Sequence, residues 1–182
     1  MFRIVIRGTP LVFFFTSDTH FGHQFALTKR KRPFPSVQAM DEHLVARWNE
    51  TVGVNDEIFH LGDVAHLEHG GLADVLARLN GRLHLILGNN DRREAMEATG
   101  RWETIADMRE LTIGDQRVFL CHYPLREWPN AWRGAWHLFG HVHGKYDLDP
   151  HGLSMDVGVD SHFYAPISLD AIAQRLQRAA AA

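Results

Sequence analysis

The sequence predicts an α/β protein, because short apolar runs alternate with segments of helical character. Four strand candidates are bounded by Gly, Pro and Asn, at residues 2–6, 11–16, 58–61 and 83–87. Each of the last three strand candidates is followed by a helix candidate, at residues 37–51, 71–79 and 92–98. This β-α-β-α-β order is typical of a parallel sheet that is covered by helices.

The first long helix has a start signal and one apolar face. Ser36 stands in the N-cap position before residues 37–51. Met40, Leu44 and Trp48 then recur every four residues, which places them on one side of a helix. We expect that side to pack on the sheet.

The second half of the chain has a different pattern. Residues 110–113 and 117–121 flank Gly114-Asp115-Gln116, which predicts an antiparallel hairpin. Two further strands and a C-terminal amphipathic helix are predicted at residues 136–139, 155–159 and after Pro166. The change from a parallel to an antiparallel pattern indicates a second sheet.

Length and composition indicate a globular chain that we expect to be one domain over residues 1–182. The net charge of −3 gives no signal for a broad nucleic-acid surface or a membrane-binding face. Residues 1–16 place basic residues before an apolar run but lack a small-residue cleavage site, so we expect a core strand and a cytoplasmic protein. The single cysteine, Cys121, excludes an intramolecular disulfide and is expected to be a small buried hydrophobe.

Five apolar runs end in small residues followed by Asp, His or Asn. Those endings are Asp18-Thr19-His20, Gly62-Asp63, Gly88-Asn89-Asn90-Asp91, His122 and Gly140-His141-Val142-His143. In open α/β sheets, sites form where the carboxyl ends of strands meet. His141 and His143 are two residues apart at a strand end and can face the same way, as two ligands of one site must.

The order D-x-H, G-D, G-N-x-D, a lone His and G-H-x-H resembles that of the calcineurin-like metallophosphoesterases. The resemblance runs from about residue 13 to about residue 159. It implies a four-layer α-β-β-α sandwich, in which two packed mixed sheets are flanked by helices.

The resemblance also implies two divalent metal ions. Asp63 matches the position that bridges both ions. The ligands of one ion correspond to Asp18, His20 and His143, and those of the other to Asn89, His122 and His141. This mixed nitrogen and oxygen set without thiolate suits Mn, Fe, Zn, Co or Ni, of which we favour Mn.

The chain departs from the family pattern at Asn90, where the family usually has a histidine that contacts the phosphate and protonates the leaving oxygen. An amide can donate a hydrogen bond to phosphate but cannot release a proton near neutral pH. His23 is our candidate replacement, with support of a metal ligand, a phosphate contact or a solvated loop position as its alternatives. Asp91, which would orient the missing histidine, is expected to cap the next helix.

Other residues carry weaker signals. His66 and His69 follow Asp63 and are candidates for the rim of the site. The loop with Trp128, Trp132 and Trp136 lies between two ligand strands. We expect it beside the site mouth, for core or lid packing or for stacking on a nucleobase. Arg92 and Arg93 are expected to face solvent, with phosphate binding as the alternative. Core or surface roles are expected for His60, His84, His137, His151 and His162.

The expected function is hydrolysis of a small phosphodiester or phosphomonoester, with nucleotides among the candidates, by in-line attack of a metal-bound hydroxide. The alternative is a protein-binding scaffold that keeps the fold and the metals with weak or no catalysis. The retromer subunit with this fold also lacks the motif histidine. A nuclease is disfavoured by the acidic net charge and the short chain.

Overall fold

Two sheets form the centre of the protein in a computed structural model that describes residues 11–67, 70–145 and 152–181. The first sheet has the order β4-β3-β2-β1-β9 and the second the order β5-β6-β7-β8. The strands of the first sheet are β1 (Phe13–Thr16), β2 (Glu57–His60), β3 (Arg82–Ile86), β4 (Trp102–Ala106) and β9 (Ile167–Ser168). Those of the second are β5 (Met108–Ile113), β6 (Gln116–Cys121), β7 (Trp136–Phe139) and β8 (Ser154–Asp156). The predicted strand at residues 2–6 lies outside the described residues.

Both sheets are mixed. β1 to β4 are parallel neighbours, and β9 joins β1 in the antiparallel direction. β5 and β6 form the predicted antiparallel hairpin, and β6, β7 and β8 then run parallel. The parallel run places the carboxyl ends of neighbouring strands at one edge of each sheet.

In the part of the chain that the structure describes, five α-helices accompany the sheets: α1 (Gln24–Thr28), α2 (Val37–Thr51), α3 (Gly70–Ala77), α4 (Arg93–Ala98) and α5 (Leu169–Ala181). The N-cap prediction for α2 is confirmed, since the Ser36 hydroxyl accepts a hydrogen bond from the Ala39 amide at 3.1 Å. None of the helices in the described ranges is long and apolar enough to cross a membrane.

The alternation of strand side chains creates two cores. Phe14 and Ile58 face one way and pack with α2 and α3, while their neighbours Phe15 and Phe59 face the second sheet. Successive strand residues serve opposite layers for this reason. The predicted architecture of two packed mixed sheets flanked by helices is confirmed.

The outer face of the second sheet is covered in part by an irregular loop. Phe119, His137 and Phe139 alternate with the residues that face the first sheet. The Trp128 ring packs over His137 at 5.3 Å between ring centroids, and its Nε1 donates to the Ala135 carbonyl at 2.8 Å. This loop therefore closes a face that would otherwise be apolar and exposed.

Candidate metal centre

The loops after five strands bring the predicted ligands together. Asp18 and His20 follow β1, Asp63 follows β2, and Asn89 follows β3. The second sheet contributes His122 after β6, and His141 and His143 after β7. The site therefore lies where the carboxyl ends of strands from both sheets meet, as predicted.

The first group of donors consists of Asp18, His20 and His143, whose ligand atoms all lie within 4.8 Å of one another. His20 Nε2 is 3.4 Å from His143 Nε2. Asp18 Oδ1 is 3.6 Å from His143 Nε2 and 3.9 Å from His20 Nε2. Two imidazole nitrogens and a carboxylate oxygen thus converge on one point.

The second group consists of Asp63, His122 and His141, again within 4.8 Å. The Asn89 amide oxygen joins it at 3.2 Å from His122 Nε2. Asp63 connects the two groups, since its Oδ1 is 3.7 Å from His122 Nε2 and its Oδ2 is 3.6 Å from His20 Nε2. One carboxylate therefore faces both groups, which is the arrangement that a bridging ligand needs.

The donor atoms fit divalent cations. Asp18 Oδ1 is buried and has no hydrogen-bond partner within residues 11–67, 70–145 and 152–181. Such an oxygen is costly to bury unless a cation or a donor satisfies it. Burial raises the pKa of Asp18 well above its ordinary value and lowers the pKa of His20 to about 3. The nitrogen and oxygen donors without thiolate match the metals expected from the sequence.

Hydrogen bonds to the outer ring nitrogens orient two of the histidines. His122 Nδ1 donates to the Leu61 carbonyl at 2.6 Å, and His143 Nδ1 donates to Asp160 Oδ2 at 2.8 Å. In each ring the proton is on Nδ1, so Nε2 is unprotonated. Its lone pair faces the other ligand atoms of the same group. The tautomers are therefore those that a metal ligand requires.

Sequence reasoning missed the support behind His143. Arg32, with only 4% of its surface exposed, donates to both Asp160 oxygens at 2.8 Å. It also donates to the backbone carbonyls of Asp18 and Thr19 at 2.6 and 2.8 Å. Burial raises the pKa of Asp160, but the hydrogen bonds from His143 and Arg32 outweigh burial and hold that pKa below its ordinary value. Arg32 thus ties the β1 loop to the carboxylate that orients His143.

The ligand loops have an unusual backbone. Five of the candidate ligands have left-handed φ angles, at 58° for Asp18, 51° for His20, 58° for Asp63, 70° for His141 and 53° for His143. A non-glycine residue in this region costs of order 1–3 kcal/mol and persists only where its surroundings enforce it. The strain is concentrated at the residues that form the two groups of donors.

Asn90 and Asp91 act on Asp63 and its loop. Asn90 donates to Asp63 Oδ1 from its backbone at 2.9 Å and to Oδ2 from its side chain at 2.6 Å. Asp91 accepts from the backbone amides of Asp63, Val64 and Gly88 at 2.8, 3.0 and 2.8 Å. The prediction that Asp91 caps the next helix is therefore wrong: the N-cap of α4 is Arg92, and Asp91 joins the β2 and β3 loops instead.

His23 lies beside the candidate ligands. Its Nδ1 is 3.4 Å from His20 Nδ1, and its ring stacks on His66 at 4.5 Å between centroids. His23 also lines a cavity of about 230 Å³ beside the ligands. The other residues that line this cavity are His20, Phe25, Ala26, Arg30, Asp63, Asn89, Asn90 and His141. His66 is exposed beside His23, whereas His69 lies outside the described residues.

The tryptophan loop does not reach this cavity. Trp128 packs over His137, Trp136 joins the core between the sheets, and Trp132 is 79% exposed. Trp128 and Trp136 have the expected packing role, whereas the expected place of the loop beside the site mouth is not met, since none of the three rings lines the cavity. Arg92 and Arg93 also lie outside the cavity lining, and Arg93 pairs with Asp107 at 2.9 Å.

The histidines expected in core or surface roles lie away from the candidate ligands or pack beneath them, where they are described. His60 is buried and its Nε2 lies 2.9 Å from the Thr19 hydroxyl. His84 lies between the Thr104 hydroxyl at 2.9 Å and Glu57 Oε2 at 2.6 Å. His137 and His162 are likewise buried, as is Cys121, and His151 is outside the described ranges.

Comparison with known proteins agrees with this geometry. The sequence profile described as the calcineurin-like phosphoesterase superfamily domain matches residues 11–154. The chain therefore belongs to the calcineurin-like phosphoesterase superfamily.

Two relatives and one solved structure illustrate the similarity. The uncharacterised protein MJ1445 of Methanocaldococcus jannaschii is 27% identical over 169 residues, covering 89% of each chain. The gene 66 protein of Mycobacterium phage L5 is 29% identical over 178 residues, covering 81% of this chain and 86% of that protein. The crystal structure of AQ665, a protein of unknown function from Aquifex aeolicus, has a TM-score of 0.73 at 21% identity and covers 91% of this chain and 99% of its own. The last similarity shows a shared fold.

Proposed function

We propose that the chain binds two divalent transition-metal ions, with Mn favoured, and hydrolyses a small phosphate mono- or diester, with nucleotides among the candidates. The observation that carries the proposal is the position of Asp63. Its two oxygens face His20 in one group of donors and His122 in the other, at 3.6 and 3.7 Å. A single carboxylate shared by two sets of ligands can hold two metal ions close enough to act together on one phosphate.

The chain's own residues would bind and orient the ester. Bound metal ions neutralise phosphate charge and lower the pKa of water. Arg30 lines the cavity and brings a permanent positive charge toward the phosphate. Asn90 lines it as well, and its amide is a hydrogen-bond donor that holds Asp63 in the absence of an ester. Positioning and charge neutralisation account for most of what a protein contributes to phosphoryl transfer.

His23 is the proposed partner of the leaving oxygen. Once His20 offers Nε2 to a cation, its Nδ1 carries the ring proton and donates to His23 Nδ1, 3.4 Å away. The proton of neutral His23 then resides on Nε2. Neutral His23 thus offers a hydrogen bond from Nε2 to the leaving oxygen in this cavity, and it releases a proton there only from its imidazolium form.

The proposal is tested by metal content and turnover together. The purified chain, stripped with chelator and reloaded with Mn²⁺, should bind two ions and should hydrolyse bis(4-nitrophenyl) phosphate only when loaded. Asp63→Asn and His122→Ala should lose both metal and turnover. His43→Ala, a histidine exposed on α2, is the matched control and should retain both.

Two results would contradict the proposal. Absence of bound metal, with turnover indifferent to chelator, would remove the two-metal site. Full metal loading without turnover of monoesters, diesters or cyclic nucleotides would favour the scaffold alternative.

A further inference from the structure

The cavity beside the candidate ligands is small. Its volume of about 230 Å³ is below the roughly 300–1,000 Å³ that is typical of pockets for drug-sized ligands. A phosphoryl group and its immediate neighbours fill such a space. The rest of a larger ester must lie at the rim, so the residues of the rim decide which esters bind best.

Three aromatic rings form a continuous stack at this rim. The His23 ring lies 4.5 Å from His66 with 20° between the ring planes, and 5.7 Å from Phe25 with 19° between the planes. We call these three residues the aromatic stack. Phe25 stands at one end of it, lines the cavity and is 48% exposed, so part of its surface is open to a ligand.

The aromatic stack is held in place before any ligand binds. Gly22 has φ +74°, a left-handed conformation that a residue with a Cβ adopts only with strain, so glycine suits the turn that precedes His23 and lies beside Leu67. The Gly22 amide donates to both Asp41 oxygens, at 3.1 and 3.0 Å. The His66 amide donates to the Phe21 carbonyl at 2.8 Å. A rim that is already ordered loses little conformational entropy on binding.

We infer that Phe25, supported by the aromatic stack, selects phosphate esters that carry a planar aromatic ring able to reach the rim of the cavity, as a nucleotide does. The inference rests on the proposed phosphoesterase function and names its substrate class. Arg30 in the same cavity pairs with the phosphate charge while the ring stacks on Phe25. Isolated exposed aromatic residues are common and need no ligand. Phe25 differs from them because it adjoins both the ligand cavity and a cation.

The test compares two phosphates that differ only in the attached group. Binding of thymidine 5′-monophosphate and of methyl phosphate to Mn²⁺-loaded protein is measured by calorimetry. Base stacking predicts that the nucleotide binds about 5- to 150-fold more tightly. Phe25→Ala and Phe25→Leu should both remove this preference, since leucine keeps the apolar volume and lacks the flat face, whereas Phe25→Trp should retain it. Trp132→Ala, an exposed aromatic residue outside the cavity lining, should change nothing.

The failure of this inference can be told from failure of the proposed function. Bis(4-nitrophenyl) phosphate turnover is measured on the same preparations. Turnover together with equal affinity for the two phosphates, or with a preference that survives Phe25→Ala, overturns the role of Phe25 alone. Absence of turnover from fully loaded protein overturns the phosphoesterase proposal and the substrate class with it.

Discussion

At the scale of single residues, hydrogen bonds already made within the protein limit which side chains can act on a bound ester. Asn90 and Asp91 both form hydrogen bonds of 2.6 to 3.0 Å with Asp63 or its loop. His23 is the residue whose ring reaches the cavity from the opposite loop. The proton for a poor leaving group must therefore come from the imidazolium form of His23 or from solvent, since neither an amide nor a neutral imidazole releases a proton near neutral pH.

Restoring the family residue should change the dependence on the leaving group. Asn90→His is expected to accelerate hydrolysis of alkyl esters by up to about 10²–10⁴, the usual range for general acid catalysis. Nitrophenyl esters, whose leaving group departs unprotonated, should change far less. His23→Ala should slow alkyl esters selectively. Rates measured over a series of leaving groups decide this, with metal content determined for each variant.

A uniform loss for every leaving group in His23→Ala would exclude a role for His23 as proton donor. Loss of metal in that variant would instead assign His23 to the support of His20, with which it shares a contact of 3.4 Å. The leaving-group dependence and the metal content of His23→Ala therefore distinguish the two roles.

The buried pair of Arg32 and Asp160 should control metal affinity without touching the metal. Arg32→Lys cannot donate to both Asp160 oxygens in the fork geometry that guanidinium allows. Asp160→Asn weakens the acceptor that fixes His143. Each change should lower Mn²⁺ affinity about 10- to 100-fold, measured by calorimetry. Arg47→Lys, at an exposed pair with Glu50, should leave the affinity unchanged, and an equal loss there would point to a general effect of the substitution.

The sequence predicted the donors at the site but not this support. Asp18, Asp63 and His141 each follow a short apolar run and a small residue, so local pattern identifies them. Arg32 lies 128 residues before Asp160, in a loop whose Lys, Arg and Pro content indicates only solvent exposure. A buried ion pair between distant loops leaves no periodic signal, and for this reason it was missed.

At the scale of elements, the site depends on close contact between loops. Gly62 has φ +90°, and a Cβ there would lie 2.6 Å from Gly88 Cα. A Cβ on Gly140 would meet the Ser17 side chain at 2.5 Å and collide with Asp18 Oδ2. The glycines of the G-D and G-H motifs are therefore required by packing between strand ends, beside any chemical role of their neighbours.

Gly140→Ala should consequently destabilise the protein by more than about 1 kcal/mol, because the added methyl has no space. Gly71→Ala is the matched control: Gly71 lies in α3, and its added methyl would meet Leu67 at an ordinary 3.6 Å. That change should stabilise by about 0.4–1 kcal/mol through the helix propensity of alanine. Urea unfolding of both variants gives the two free energies. Equal effects of the same sign would contradict the packing argument.

The elements missed by sequence analysis are short or lie at an edge. α1 has five residues, Gln24–Thr28, which is too short for a periodic pattern. β4 is the edge strand of the first sheet, and all of its residues are partly exposed, so it lacks an apolar run. By contrast, the interior strands and α2 bury a full face and were predicted closely, because burial is what creates the pattern.

At the scale of the whole molecule, several buried histidines connect fold stability to pH. His60 is the clearest example, lying under the site on β2. Its Nδ1 accepts from the Gly62 amide at 3.2 Å, so Nε2 carries the proton and donates to the Thr19 hydroxyl at 2.9 Å. Thr19 in turn donates to the Val64 carbonyl at 2.7 Å. This network accepts only neutral imidazole, since a proton on Nδ1 would face the Gly62 N–H.

Burial, and then the nearby His122, lower the pKa of His60 to about 3 from an ordinary 6.5. The unfolded chain therefore binds a proton at His60 below about pH 6.5, while the folded chain does not. The contribution of His60 to the free energy of unfolding is complete above that pH. Acidification should reduce the free energy of unfolding by about 1.4 kcal/mol per pH unit. In urea unfolding from about pH 7 to about pH 5, His60→Asn should have a shallower pH slope than the native chain. His43→Asn, at an exposed histidine, should keep the native slope, and identical slopes for all three proteins would disprove the role of His60.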